Sequence, residues 1–297
     1  VGYSSYLLGN FVIGLNALFN CCGTDYGLGK AKGFNQAGNY FTYLQSTDTN
    51  VNFHDGGSSY SVNPVREFMG YRYNDPVQAA MGRRQKTLGN IGFDLRTLYF
   101  YDHAVTDKGL DVDLSNEPLD YYFYGAEAGS FRNSHDVSNP VFVGFHGGWT
   151  NIPHDMLDLG EFIFESDNVV WARDLGSDSY SLPDYFGRNG YKLYRKRPEG
   201  ENCIVLNPKA DTDSYFGQEL GVMAQLIDLD TNKPRGAKAT YDLSDAYRRD
   251  ASKYIRGYYF GDDRNTLTVQ DELSLKGDTE LYWFMHTPAK IEIINNQ

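Results

Sequence analysis

The densest group of side chains that could do chemistry lies between residues 146 and 180. It contains two histidines, His146 and His154, together with several carboxylates. Imidazole and carboxylate groups move protons near neutral pH or bind metal ions, and Trp149 and Tyr180 add aromatic faces that suit contact with sugar rings. These segments are typical of strand ends and loops, so we predict a functional site here. The alternative is that each histidine caps a turn and each aspartate accepts loop amides.

A second polar group, residues 191–202, carries clustered positive charge in an otherwise acidic chain. Tyr191 and Arg195 are its candidate substrate-binding residues, because a guanidinium can hold an anionic group through paired hydrogen bonds. The alternative is a solvated strand edge that lysine and arginine protect against aggregation. The residues alone leave both interpretations open.

Composition limits the class of protein. The 297 residues are 41% hydrophobic and 22% charged, which is typical of a globular protein and excludes a disordered chain or a collagen-like fibre. The net charge of -12, from 39 acidic and 27 basic residues, argues against a nucleic-acid partner. Three cysteines cannot form a disulfide framework. No run approaches about 18 uninterrupted apolar residues, so we expect no membrane span.

Two patterns divide the chain. Residues 1–105 place apolar side chains at helical spacing in short helices, which is typical of stacked helical hairpins. Residues 106–120 form an acidic connector. In residues 121–297, short runs of β-branched and aromatic residues are separated by turn residues, which is typical of an antiparallel β-sandwich. We therefore predict an α+β protein of several domains.

The first helix is apolar on nearly all sides, and such a helix needs neighbours on several sides. We therefore expect the chain to be a fragment of a larger structure. We also expect this helix to expose apolar surface where further helices would pack. The oligomeric state is left open.

Several short motifs resemble, in order, those of the heparinase II/III-like family of polysaccharide lyases. Residues 153–160 resemble its His-x-x-x-Asp-x-Gly motif, with His154 as the histidine. Residues 2–6 resemble the last part of a glycine- and tyrosine-containing motif that begins one of the family's helices. Residues 131–136 resemble its Arg-Ser-Ser-Trp strand, with His135 in place of tryptophan. The remaining matches are residues 95–102, 174–180, 241–247 and 283–287.

The resemblance implies a fold and a reaction. The fold is a partial α/α toroid of helical hairpins, over residues 1–105, followed by a large antiparallel β-sandwich. The reaction is cleavage of uronate-containing polysaccharides by β-elimination. In it a base removes the proton next to the uronate carboxylate, and an acid protonates the departing glycosidic oxygen. The resemblance also implies a secreted or periplasmic bacterial protein.

The same resemblance implies roles for three residues. Tyr3 matches the tyrosine that serves as catalytic base or acid, and His154 matches the histidine that the sheet domain contributes to the cleft. Arg132 is, by its position, the expected partner of the substrate carboxylate. The family's Asn-His element, which would neutralise that carboxylate, lies upstream of the position of Tyr3. We therefore expect the chain by itself to be a poor catalyst.

No cofactor is required for this reaction, but a structural divalent cation is a further expectation. Asp174 matches a metal ligand of the family, whereas Met156 and Glu201 stand where relatives have histidines. A thioether and a carboxylate are a poor ligand pair for zinc. Asp174 and Glu201 are therefore the candidate ligands of a hard cation.

The expected partner is an acidic polysaccharide, and charge narrows its class. A chain with a net charge of -12 repels heparin at long range, which favours a less sulfated uronate polymer such as alginate or an unsulfated glycosaminoglycan. Two alternatives stay open. One is a non-catalytic carbohydrate-binding relative, which Met156 and Glu201 favour. The other is a glycoside hydrolase, in which Asp158 and Asp174 would flank the scissile bond.

Overall fold

The computed structural model describes residues 2–46, 50–59, 63–88, 94–108, 112–136, 140–208, 215–231 and 235–294. The chain divides into two compact units. The helical unit comprises Val1–Val51 and Gly57–Glu117, and the sheet unit comprises Asn52–Gly56 and Pro118–Gln297. The short segment Asn52–Gly56 thus belongs with the strands, although it lies within the stretch that the sequence pattern assigns to helices.

The described part of the helical unit contains five α-helices, and local signals explain where some of them begin and end. Asp75 caps one helix by accepting hydrogen bonds from the backbone N–H groups of Val77 and Gln78 at 3.0 and 3.1 Å. Asn74 ends the preceding helix in a left-handed conformation. The helices are α1 (Gly2–Cys22), α2 (Ala37–Tyr43), α3 (Val65–Tyr73), α4 (Pro76–Leu88) and α5 (Leu95–Lys108).

The core of the helical unit is aromatic. Phe68 of α3 and Phe100 of α5 meet edge to face with ring centroids 5.2 Å apart, and both side chains are fully buried or nearly so. Val12 and Leu15 of α1 pack into the same cluster. This packing explains why short helices, which are marginal in isolation, are stable here.

Helix α1 buries only part of its apolar surface within this unit. Tyr6 and Leu7 are exposed, as the all-round apolar pattern leads us to expect. By length and composition, Tyr3–Cys22 is the one helix in the described ranges that could cross a membrane, which is weak evidence because core helices and signal sequences meet the same criterion. The expected absence of a membrane span therefore stays a prediction.

The sheet unit is built from antiparallel strands. One five-stranded sheet has the order β1-β2-β3-β5-β6, another has the order β11-β10-β9-β8-β4, and β7 pairs with β12. The strands are β1 (Tyr121–Phe123), β2 (Ala128–Arg132), β3 (Val141–His146), β4 (Gly148–Trp149), β5 (Phe162–Ser166), β6 (Val169–Ala172), β7 (Ile204–Leu206), β8 (Met223–Asp230), β9 (Ala237–Asp242), β10 (Ala251–Phe260), β11 (Leu267–Leu275) and β12 (Leu281–Trp283).

The two five-stranded sheets share one hydrophobic core. Phe131 of β2 stacks on Phe260 of β10 at 6.2 Å, and Phe145 of β3 stacks on Tyr258 of β10 at 5.5 Å. Alternate residues of β10 point into this core, as the two-residue period of a strand requires. Gly147 is required where the chain leaves β3, because a Cβ atom there would lie 2.4 Å from the Tyr241 ring.

The predicted α+β class is confirmed, since helices and antiparallel sheets occupy separate units. The contacts place the boundary between Glu117 and Pro118, near the end of the predicted connector. Helix α5 extends to Lys108 and so includes the first residues of that connector. Residues 109–111 of the connector lie outside the described residues.

Candidate functional site

The segment Asn52–Gly56 is held against the sheet unit by three polar contacts. The Asn52 amide donates to Asp174 Oδ1 at 3.0 Å, and the His54 backbone N–H donates to Asp158 Oδ2 at 2.7 Å. Asp55 Oδ2 lies 2.8 Å from His154 Nδ1. The three partners, Asp174, Asp158 and His154, all lie between residues 146 and 180. The segment is therefore part of the site that the sequence predicts at residues 146–180.

His154 is presented to solvent by a strained loop between β4 and β5. Its backbone φ is 65°, a left-handed conformation that is uncommon for a residue other than glycine. Its side chain is 32% exposed, whereas the Asp55 carboxylate beside it is buried. A carboxylate can only accept a hydrogen bond, so Nδ1 carries the proton in this pair. A neutral ring then has its lone pair on Nε2, where it can take a proton from a ligand.

Aromatic side chains surround the His154 imidazole. Phe186 meets it edge to face at 5.2 Å, and the Tyr180 hydroxyl lies 3.4 Å from its Nδ1 atom. Tyr180 and Phe186 are 43% and 60% exposed, and Tyr185 is buried next to both. Two accessible rings beside a histidine form a surface on which a sugar ring can stack. We call His154, Asp55, Tyr180 and Phe186 the histidine site.

The predicted residues Tyr191 and Arg195 hold the loops on either side of this surface, Tyr191 as a buried side chain and Arg195 as a partly exposed one. The Tyr191 hydroxyl donates to Asp155 Oδ1 at 2.7 Å, and its side chain is buried. Arg195 donates to the carbonyl oxygens of Leu175 and Ser177 at 2.6 and 3.2 Å, in the loop that leads to Tyr180. Their proposed contact with substrate stays a prediction. The alternative of a charged strand edge is wrong, because this stretch forms short 3₁₀ turns at Arg188–Lys192, Tyr194–Lys196 and Pro198–Gly200.

His146 and Trp149 differ in accessibility. His146 ends β3 and is buried, which argues against direct contact with a polymer, and burial lowers its pKa to about 4. Trp149 in β4 is half exposed and stays a candidate for substrate binding.

Arg132 ends β2 with its guanidinium buried over the Phe142 ring at 5.3 Å. Its role toward a substrate carboxylate also stays a prediction.

Tyr3 belongs to the other unit. It lies in the first turn of α1 and is 62% exposed. Its predicted role as catalytic base or acid is untested by the structure of the helical unit.

A second cluster consists of three buried carboxylates, Glu161, Asp174 and Glu201, which we call the carboxylate site. One oxygen of each lies within 4.8 Å of the others. One oxygen of each, Glu161 Oε2, Asp174 Oδ2 and Glu201 Oε2, has no hydrogen-bond partner in the described part of the chain. The cluster joins the residue before β5 to the loops that follow β6 and precede β7. Asp174 and Glu201 are the two ligands that the sequence predicts, and the structure brings them together.

The three carboxylates of the carboxylate site repel one another when they are ionised. Burial raises the pKa of Glu161 to about 7, and burial with the neighbouring Glu161 charge raises the pKa of Asp174 and Glu201 well above their usual values. The cluster therefore needs added positive charge, either as protons or as a cation. A set of ligands made only of carboxylate oxygens fits Ca²⁺ or another hard cation and fits zinc poorly.

Sequence reasoning missed Asp55, Phe186 and Glu161. Asp55 lies in a polar, glycine-containing stretch typical of a turn, 99 residues from His154, so nothing local connects them. Glu161 had a weak signal, because an acidic residue directly precedes the apolar strand β5. Such a residue at the entrance to a buried strand is a candidate for a buried polar role.

Comparison with known proteins identifies the fold. No protein-family model matches the sequence, and no curated protein matches it. Among solved structures, a heparinase III gene product matches with a TM-score of 0.56 at 17% identity, covering 86% of this chain and 34% of that chain. A mutant of the heparan sulfate lyase HepC from Pedobacter heparinus matches with a TM-score of 0.51 at 14% identity, covering 78% of this chain and 31% of that chain. The chain thus spans about a third of these structures, and the resemblance expected from the motifs is confirmed at the level of the fold.

Proposed function

We propose that the chain is part of a polysaccharide lyase that cleaves a uronate-containing glycan by β-elimination. The observation that carries the proposal is the histidine site, in which a partly exposed imidazole is held by a buried carboxylate beside two accessible aromatic rings. It occurs in a chain whose fold resembles part of the heparinase III and heparan sulfate lyase structures. In this proposal the helical unit is part of an α/α toroid and the sheet unit is the β-sandwich.

The proposed chemistry assigns a proton transfer to His154. In β-elimination, a base removes the proton next to the uronate carboxylate, the bond between the ring and the glycosidic oxygen breaks, and a double bond forms in the ring. An acid protonates the departing oxygen. The Asp55 carboxylate stabilises the imidazolium that forms when His154 Nε2 accepts a proton. Tyr3 is the proposed partner base or acid, and Arg132 the proposed partner of the uronate carboxylate.

Burial disfavours the glycoside hydrolase alternative. Asp158 and Asp174, the two carboxylates that would flank the bond, are both buried in the sheet unit. Asp158 accepts the His54 backbone N–H, and Asp174 accepts the Asn52 amide. Side chains so enclosed cannot lie on two sides of a sugar ring.

The proposal includes a hard divalent cation at the carboxylate site. Glu161, Asp174 and Glu201 would hold it, and its charge would offset the repulsion among them. Its role in the proposal is structural, since it would tie the strands and loops that carry the histidine site. The proposed substrate is a uronate polymer of low sulfation, such as alginate or an unsulfated glycosaminoglycan, and the proposed location is the periplasm or the outside of a bacterium.

An elimination assay tests the proposed activity. The gene product that contains this chain is incubated with alginate, unsulfated glycosaminoglycans and heparan sulfate, and the ultraviolet absorbance of the 4,5-unsaturated uronate is followed. We expect a rise on one polymer class and a loss of about 100-fold or more in the His154→Ala variant. The matched control is His286→Ala, which removes a histidine of the same unit that contacts Tyr194 rather than the histidine site.

The outcomes separate the lyase from its alternative. Absence of elimination on every polymer, with glycan binding retained and sensitive to His154→Ala, would establish the non-catalytic carbohydrate-binding relative. Equal turnover in His154→Ala and the parent protein would refute the assignment of the site.

A further inference from the structure

A third group of polar side chains is formed by His54, His146 and Asp158, which we call the imidazole site. Their candidate ligand atoms lie within 4.8 Å of one another. His54 Nδ1 lies 3.2 Å from Asp158 Oδ2, and His146 Nδ1 lies 3.8 Å from Asp158 Oδ1. The proposed lyase chemistry uses none of these three side chains.

Their polar atoms are left unsatisfied. His146 Nδ1 and Asp158 Oδ1 are buried without a hydrogen-bond partner in the described ranges. His54 Nδ1 lies at ion-pair distance from Asp158 Oδ2, but their contact does not have hydrogen-bond geometry. Native proteins rarely bury such groups unpaired, so each calls for an explanation. A simple ion pair between His54 and Asp158 would still leave His146 Nδ1 unsatisfied.

We propose that His54, His146 and Asp158 bind a zinc-class divalent cation. Two imidazoles and one carboxylate are a usual ligand set for such an ion, and three protein ligands are typical of zinc sites that keep one position for water. Bonds of about 2.0–2.1 Å in tetrahedral geometry place ligand atoms about 3.4 Å apart. The separation of 3.2 Å between His54 Nδ1 and Asp158 Oδ2 is close to that value, and one ligand atom from each of the three residues lies within 4.8 Å of the others.

The surroundings hold the three ligands in place. The Phe53 ring stacks on the His146 ring at 5.0 Å, and the His54 backbone N–H donates to Asp158 Oδ2 at 2.7 Å. Contacts of this kind orient ligands and raise metal affinity. Burial lowers the pKa of His146 to about 4, so its ring is neutral and can donate a lone pair at neutral pH.

The cation has a structural consequence for the histidine site. His54 is the neighbour of Asp55, and both lie in the segment Asn52–Gly56, which belongs to the sheet unit although it lies in the helical stretch of the sequence. A cation shared by His54 and two residues of the sheet unit would fix this segment. Asp55 would then be held where it contacts His154.

Zinc titration tests the proposal, which does not depend on lyase activity. The chain is stripped with EDTA, supplied with Ca²⁺ to fill the carboxylate site, and titrated with Zn²⁺ by calorimetry. We expect saturable binding of about one equivalent, with affinity reduced at least about 10-fold in His54→Ala and in Asp158→Asn. The control, His103→Ala, removes a histidine of the helical unit and should leave the affinity unchanged.

Two further measurements keep the test decisive. Bound Co²⁺ should show the visible absorption of a low-coordinate site with nitrogen ligands, and His54→Ala should abolish it. Circular dichroism checks that each variant is folded, and His54→Ala is the safer variant because its side chain is partly exposed. The proposal is overturned if folded parent protein does not bind Zn²⁺ saturably. It is equally overturned if His54→Ala binds as tightly as the parent, or if Glu201→Gln alone removes the binding.

Discussion

His154 and Asp55 are 99 residues apart in the chain, yet His154 Nδ1 lies 2.8 Å from Asp55 Oδ2. The imidazole is partly exposed and the carboxylate is buried, so the pair directs one ring nitrogen inward and leaves the rest of the ring near solvent. The aspartate accepts a hydrogen bond from the Nδ1–H group and so selects the tautomer. In the proposed lyase this pairing would suit His154 to proton transfer at Nε2, and Asp55 would act as a positioning residue.

The Asp55→Asn substitution tests that pairing. An asparagine is nearly the same size, but its amide is neutral and can donate to Nδ1, which favours the wrong tautomer. We expect turnover of the proposed lyase to fall by about 10- to 100-fold, with the Michaelis constant little changed, because the substrate contacts remain. Steady-state kinetics on the polymer that the assay identifies would measure both values.

Asp263→Asn is the control for this substitution. Asp263 lies in an exposed turn and accepts the backbone N–H of Asn265, away from the histidine site. Its replacement should leave kcat unchanged. If Asp55→Asn matched the parent enzyme, or changed only the Michaelis constant, the positioning role would be contradicted.

The exposed ring of Tyr180 is expected to contribute to glycan binding. Its side chain lies beside His154 and Phe186, and stacking on such a ring adds about 0.5–1.5 kcal/mol. Tyr180→Ala should therefore weaken binding about threefold to tenfold, as measured by calorimetry with oligosaccharides. Tyr124→Ala removes a more exposed ring, which contacts Tyr122, and should have no effect. Equal losses in both variants would mean that the rings act through stability and not through a binding surface.

Much of the fold could be predicted from the sequence because its patterns are local. Helical spacing in residues 1–105 and short alternating runs in residues 121–297 indicate an α+β protein, and the structure agrees at that level. The segment Asn52–Gly56 could not be placed in the same way. Its attachment to the sheet unit depends on contacts such as His54 with Asp158, 104 residues away.

The candidate site was predictable only in part, for the same reason. His154 and Tyr180 lie close together, as do Asp174 and Glu201, and all four could be chosen from motifs. The motifs do not show which of their side chains are buried. His146 follows four apolar residues and a glycine at the end of a fully buried strand, and its depth is set by how that strand pairs with both neighbours.

The Arg256–Asp271 ion pair should contribute strongly to the stability of the sheet β11-β10-β9-β8-β4, because the Arg256 side chain is fully buried. Arg256 donates to both carboxylate oxygens of Asp271, at 2.7 and 2.9 Å, and to the carbonyl oxygens of Gly160 and Asn202. Arg256→Met would remove the positive charge that faces the Asp271 carboxylate and the donor to the Asn202 carbonyl oxygen. The Asp271 oxygens would keep only their hydrogen bonds from Tyr254 and Trp283. We expect a loss of about 3–5 kcal/mol in the free energy of unfolding, measured with urea.

The control lies on the same strand. Lys253 of β10 faces Glu272 of β11 at 3.6 Å, and both side chains are largely exposed. Lys253→Met should change the free energy of unfolding by less than about 1 kcal/mol. A loss below about 1 kcal/mol in Arg256→Met as well would show that the buried pair is not a main source of stability.

The carboxylate site predicts how stability depends on pH when divalent cations are removed. Burial raises the pKa of Glu161 from the usual 4.5 to about 7, so between these values the folded protein holds more protons than the unfolded chain. The contribution of Glu161 to the free energy of unfolding must then fall as pH rises, by at most about 1.4 kcal/mol per pH unit. His146 contributes the opposite change below about pH 6.5, because burial lowers its pKa to about 4, so the fall is expected most clearly above that pH and relative to Glu201→Gln. Urea denaturation in EDTA between about pH 5 and about pH 8 would measure this fall.

Calcium should reverse that loss, because a cation binds the ionised carboxylates of the folded state and not the dispersed ones of the unfolded chain. With millimolar Ca²⁺ we expect the free energy of unfolding at about pH 8 to recover toward its value at about pH 5. Glu201→Gln removes one of the three charges. The free energy of unfolding of this variant should therefore fall less with rising pH in EDTA, and Ca²⁺ should raise it little. Glu280→Gln alters an exposed carboxylate and should behave as the parent. A parent protein whose stability neither falls with pH nor responds to Ca²⁺ would show that the three side chains are neutralised in another way.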